Sequence, residues 1–320
     1  MIAFALKRLL RKPGLALLAL AGVVLPVAVL TSGAFFARAV DRALLWEELS
    51  AYNAIQRRPP LAIRTYAYGT PELPLSLTRA EGFLDTVGSV ISSQTGLSVV
   101  GATLRVQSGR FTALTPGIMS QLGMADRTLG VAFAYYPGIA GHVEVIAGSP
   151  LLDEGLASAP PWQPVPVWLR ADMADELRVR PGDRFPCEAQ LFTDDPELLA
   201  GIVQGPLDVE VAGLWALPQQ NAAAPSDALW FGRPEAALTG ALLVSRADYL
   251  AHIEPRQEVK IHHADWDLVL DLRQTAPAHV QRYTNGFLRA LAILKADIPS
   301  TLYDDPRSNP CVTTPVGGAF

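Results

Sequence analysis

Two features predict an α+β protein held at a membrane. One is an uncharged stretch of membrane length near the N-terminus; the other is a long succession of strand-like and helix-like segments behind it. Gly14 to Phe36, GLALLALAGVVLPVAVLTSGAFF, runs for twenty-three residues without a charge. At roughly 1.5 Å of rise each, a helix of that length spans about 34 Å, enough to cross a hydrocarbon core of roughly 30 Å. Only a helix satisfies every backbone amide of a single segment in hydrocarbon. Pro26 lies mid-span, where a membrane helix tolerates it and can bend. The expected architecture is one N-terminal transmembrane helix with a helical stalk, then a mixed α/β extracytoplasmic domain of two subdomains.

The flanks orient the span. Lys7, Arg8, Arg11 and Lys12 precede it with no acid among them, and an excess of cations keeps a flank in the cytoplasm. Everything beyond Arg38 is then extracytoplasmic, and the expected location is the cell (inner) membrane, crossed once. Ile2, Ala5, Leu6, Leu9 and Leu10 recur at helical spacing between the cations. Residues 1–13 therefore read as a cytoplasmic amphipathic helix able to lie in the headgroup layer. A cleavable secretion signal has an apolar core of about 7–15 residues; this run is longer and favours an uncleaved anchor at 14–36.

Past the anchor, Ala37 to Gln56 is rich in helix formers with Val40, Leu44, Leu45 and Leu49, which predicts a stalk over 37–60 stopped by Arg57-Arg58-Pro59-Pro60. Leu61 to Tyr68 alternates as a strand. Thr78-Arg79-Ala80-Glu81 matches a capping box for a helix ending near Gly96. Leu97 to Val106 is a second strand with Arg105 and Gln107 facing outward, so this part reads as a βαβ-like unit. A short helix or turn is expected over Phe111 to Met124, and strands over Val131 to Tyr136 and within Gly141 to Pro150. Leu151 to Pro164, rich in Pro, Ala and Ser, is the candidate subdomain boundary. Strand, helix and turn come next at Val165–Leu169, Ala171–Leu177 and Arg180–Asp183. Asp208 to Trp215 is a strand, Gln219 to Asp227 a loop, and Ala241 to Val244 a short strand. Ser245 can cap a helix through Ile253. Glu258 to Leu272 reads as two short strands or one broken one, and Pro277 to Ile298 as the strongest helix of the exported part. Residues 299–320 read as an irregular tail.

Composition narrows the function. The chain of 320 residues carries net charge −5; the first twelve contribute +4, leaving −9 on the rest. A mildly acidic domain lacks the basic face that nucleic-acid binding requires, so no nucleic-acid partner is expected. Cys187 and Cys311 can pair outside the cytoplasm or remain two unrelated thiols. The sequence contains no G-x-x-x-x-G-K-S/T, G-x-S-x-G, S-x-x-K or H-E-x-x-H, which removes the P-loop, hydrolase and metalloprotease signatures. No enzyme, catalytic residue, metal or cofactor is expected. His262-His263-Ala264-Asp265, with His252 or His279, could supply metal ligands, but adjacent histidines on a strand face opposite ways. Asp194, Asp195 and Glu197 could form a carboxylate pair for acid–base work, and read better as a solvated loop. Trp162, Trp168, Trp215, Trp230 and Trp266 could line a groove, though strand tryptophans are more often core.

Four stretches together resemble one family. The basic lead LKRLLRKP precedes the span. HVEVIAGSPL (142–151) resembles the strand reaching a Gly-x-x-Pro-like turn, with Ser149 where an Arg is usual in the family. VPVWLRADMADELRVRPGDRF (165–185) passes through strand, short helix and Gly-Asp turn, and DVEVAGLWALPQ (208–219) is the next strand. In this order they resemble the first part of an FtsX/MacB-like ABC transporter permease, with 61–298 as the MacB-like core domain. The resemblance implies a non-catalytic subunit that couples motion of a cytoplasmic ABC ATPase to a lipid, peptide or protein client, with a second permease chain as a further partner. The family's three later membrane helices have no counterpart after Ile298, so a fragment, a truncated product and a lone relative are all compatible. A signal-anchored envelope enzyme and a two-lobed solute-binding protein are the alternatives.

Overall fold

The computed structural model describes residues 13–56, 61–70, 74–115, 129–151, 158–191, 196–217, 238, 240–275, 277–297 and 312–313. The chain divides into two compact units, Met1–Tyr52 with Ala276–Ala278, and Asn53–Thr275 with His279–Phe320.

The first unit is built on α1 (Pro13–Gln56), one uninterrupted helix of 44 residues that keeps Pro26 inside it. The segments expected to be span and stalk are thus one continuous helix. Within it, Leu20–Leu45 is long and apolar enough to cross a membrane, and the window carrying that property is wholly unburied. Leu17, Leu18, Val23, Leu25, Phe35 and Phe36 all stand exposed, so burial among the described residues does not account for their apolarity. The expected amphipathic segment before Pro13 lies outside the described residues.

The second unit is a mixed α/β domain. Its strands are β1 (Ala62–Tyr68), β2 (Val99–Ala113), β3 (Leu129–Tyr135), β4 (Glu144–Gly148), β5 (Val165–Arg170), β6 (Arg184–Ala189), β7 (Leu207–Ala216), β8 (Ala241–Leu243), β9 (His263–Leu270) and β10 (Val312–Thr313). Its helices are α2 (Leu77–Thr95), α3 (Ala171–Leu177), α4 (Pro196–Ala200), the single turn α5 (Arg246–Asp248) and α6 (Val280–Asp297). The strand order is β10-β1-β9-β2-β3-β8-β5-β7-β4, and β6 pairs with both β2 and β7. That last pairing closes a ring, β2-β3-β8-β5-β7-β6, so the middle of the sheet curls into a small barrel. The ring is thinnest between β8 and β5, joined by one rung at Trp168 and Leu243.

Period-two alternation fills the barrel. Phe111, Phe133, Val165, Val167, Phe185, Cys187, Val209, Val211 and Leu242 belong to one buried cluster, while Trp168, Trp215 and Leu243 lie in a second cluster with Tyr136 and Ile139. Alternate residues of β5 and β8 thus serve opposite faces, while Trp215 lies on the other face from Val211 because β7 carries an extra residue between them. Burial pushes the Cys187 thiol far above its ordinary value; Cys311 lies outside the described residues. Strands on both sides of residues 151–164 belong to the same sheet.

Beside the barrel, β1, α2 and β2 form a split unit. Both strands pair antiparallel with β9, which arrives much later in sequence and lies between them. They are parallel to each other, as a βαβ unit requires. Trp266 of β9 is buried against α2, where its indole N–H donates to the Ala80 carbonyl at 2.7 Å and Phe83 meets it edge-on at 5.0 Å.

Several local expectations are corrected. The cap of α2 is Ser76, whose hydroxyl accepts from the Arg79 amide; the helix starts two residues earlier than the Thr78 box implies, and Glu81 pairs instead with Arg246. Phe111–Ala113 continue β2, because a bulge at Ser108-Gly109 carries the strand past the expected break. The segment 258–272 yields one strand, β9. Ser245 does cap α5 through Asp248, after which the chain widens into a π turn over Tyr249–Ile253. In the expected irregular tail, Val312–Thr313 pair with β1; the Gln219–Asp227 loop lies outside the described residues.

Candidate functional site

The central strand β9 carries charges on one face and apolar groups on the other. Asp265 and Asp267 are two residues apart and so share a face, while Trp266 and Leu268 point into the core. Each aspartate has an arginine opposite it in register: Asp267 faces Arg64 of β1, and Asp265 faces Arg105 of β2. Arg64 grips Asp267 with both ends of its fork, at 2.7 and 2.6 Å. Arg105 places Nε at 2.8 Å from Asp265 and a second nitrogen closer still. The His263 Nε2 atom lies 3.3 Å from Asp265. Arg105 is therefore turned into an ion pair, where the sequence suggested an outward side chain.

Both carboxylates are almost inaccessible, and the row is electrically balanced by its two guanidiniums. Burial acts to raise Asp265, but the His263 hydrogen bond and the charges of Arg105, His263 and Arg64 hold it well below the ordinary carboxylate range. For Asp267, burial outweighs the Arg64 hydrogen bond and charge and pushes it up. The neighbouring Tyr136 phenol is raised by burial and then by the Asp267 charge. Each acid is committed to a cation, so the row holds strands together and offers no spare base or nucleophile.

At the end of this row the sheet opens into a cleft of about 560 Å³ bordered by Tyr68, Gln107, Arg110, Gly130, His262 and His263. Both histidines approach Tyr68: His263 stacks on it at 4.8 Å and His262 meets it edge-on at 5.9 Å. They serve the same side despite being adjacent, because β9 begins only at His263 and strand alternation does not govern His262. His252 instead lies 2.7 Å from the Ala159 carbonyl, and His279 packs on Tyr283. Among the described residues no group of three His, Cys, Asp or Glu side chains could hold a metal ion.

The other sequence candidates do not converge. Glu197 is exposed on α4, and Asp194 and Asp195 lie outside the described residues. Trp168, Trp215 and Trp266 are buried core residues, Trp162 is exposed, and Trp230 lies outside the described residues. The Arg–Asp row was missed because its members are about 160 to 200 positions apart. The legible signal was the D-W-D alternation, two acids flanking a core tryptophan.

No family model matches this chain, and no curated protein matches it. Among solved structures, a domain assigned to a permease protein from Porphyromonas gingivalis is similar at 10% identity with a TM-score of 0.34, over 76% of this chain and 86% of that one. A likeness of that strength establishes neither family nor function.

Proposed function

We propose that this chain is a non-catalytic, membrane-anchored subunit of an FtsX/MacB-like ABC transporter. In this reading a cytoplasmic ATPase moves α1, and α1 transmits the motion to an extracytoplasmic α/β domain that shifts a lipid, peptide or protein client. A second permease chain is a further partner in this reading. The observation that carries the reading is α1 itself: one continuous 44-residue helix, apolar and unburied where it would meet lipid. A continuous rod passes displacement along its axis, whereas a break between span and stalk would absorb it. The chain resumes as β1 only a few residues after Gln56, and β1 is fastened to β9 by the Arg64–Asp267 fork as well as by its ladder.

Removal of residues 1–56 should release the rest of the protein from the membrane fraction and abolish co-purification with a cytoplasmic ATPase. The substitution Val24→Arg, in the full chain, should weaken membrane retention without touching the domain, since a cation at mid-span costs about 2.5 kcal/mol or more. A truncated product that stays membrane-bound, or one that still captures the ATPase, would overturn the reading.

A further inference from the structure

The cleft beside Tyr68 has the chemistry of an anion site. Among the described residues its lining includes one guanidinium, two imidazoles, a phenol and an amide, and no carboxylate. Arg110 is exposed at its mouth and makes no ion pair among the described residues. Its position follows from the bulge at Ser108-Gly109, which interrupts the β2 ladder and re-aims the next side chain. Glycines at 130 and 240 leave parts of the wall bare, so a ligand can come close to backbone. The acid facing His263, Asp265, is already matched by Arg105 and does not cancel the cleft's positive character. Burial first, and then the neighbouring His263 and Arg110, lower the His262 pKa, so His262 meets an anion as a hydrogen-bond donor and Arg110 supplies the charge.

We propose that this cleft binds a small oxyanion of the phosphate or phosphate-monoester class, with Arg110 as the charged anchor and the rings of His262 and His263 completing the site. A guanidinium fork matches two oxygens of a tetrahedral anion, and imidazole nitrogens can meet the others. The phosphate can belong to a free metabolite or to a lipid headgroup. The assignment rests on the cleft alone and stands apart from the transport reading.

The test uses the full chain with its histidine rings followed by NMR. In detergent micelles it is titrated with inorganic phosphate and with glycerol 3-phosphate. In nanodiscs, phosphatidylcholine is compared with phosphatidylcholine containing phosphatidic acid. Saturable shifts of His262 and His263 with the soluble anions identify a free-phosphate site; shifts confined to the phosphatidic acid discs identify a headgroup site. Either supports the proposal if Arg110→Ala weakens binding roughly tenfold to a hundredfold and Arg110→Lys lies between. Arg110→Gln serves where the alanine variant does not fold. Absence of saturable shifts in every arm, or undiminished binding in a folded Arg110 variant, overturns it.

Discussion

Asp265 and Asp267 show how two identical side chains, flanking the same tryptophan, acquire opposite titration behaviour. Asp265 is held low because the His263 hydrogen bond and the Arg105 and Arg64 guanidiniums outweigh its burial, and Asp267 is pushed up because burial exceeds what Arg64 returns. A carboxylate depressed in the folded state adds stability above its unfolded pKa of about 3.9 and loses it as pH falls. The native protein should therefore lose stability on acidification below about pH 4, and Asp265→Asn should flatten that limb of a plot of denaturant midpoint against pH. An unchanged limb would show that Asp265 is not the titrating group. At neutral pH, Arg64→Ala should cost about 3–5 kcal/mol by stranding Asp267 in the interior. The double variant Arg64→Met, Asp267→Leu should cost much less, because both charges leave together. Urea unfolding of the single and double variants measures the difference.

Among the helices and strands, a few close approaches hold the domain together. The C-terminal end of α2 turns out through Gly96 in the left-handed region, whose N–H donates to the Ser92 carbonyl. Helix α6 meets this end at Gly286, where a Cβ would fall 2.5 Å from the Gln94 carbonyl oxygen and 2.9 Å from the Thr95 Cα. Both obstacles are backbone, so the helices would have to move apart. Gly286→Ala should therefore destabilise by about 1–3 kcal/mol, despite alanine's better helix propensity. Thermal unfolding decides it, since a gain in stability would mean that propensity outweighs the contact. The β2 bulge is the second such device. Without the one extra residue at 108–109, Arg110 would keep the plain alternation of the ladder and the cleft would lose its cation.

For the protein as a whole, the proposed topology makes a labelling prediction. Trp162 is 81% exposed on a turn closed by the Gln163 amide on the Pro160 carbonyl at 2.9 Å. In a Cys311→Ser background, Trp162→Cys should react with a membrane-impermeant maleimide on intact cells, and Ala3→Cys only after permeabilisation. Cys187 is fully buried and should stay silent in both. The reverse pattern would place the domain in the cytoplasm and remove the basis for an extracytoplasmic client.

Local sequence was enough to specify the apolar rod, the mixed α/β character of the region behind it, and most element positions. These depend on local quantities: the length of an uncharged run, period-two or helical alternation, and punctuation by Pro and Gly. VPVWLR and DVEVAGLW read as strands because their alternation is visible within eight residues. Folding in three dimensions supplied everything that needs partners distant in the chain. It alone placed β9 between β1 and β2, closed the barrel through β6, matched Arg64 and Arg105 to their aspartates, and brought Arg110 to the two histidines. Ion pairs and clefts form between residues that become neighbours only after folding, and spacing along the chain carries no record of that distance.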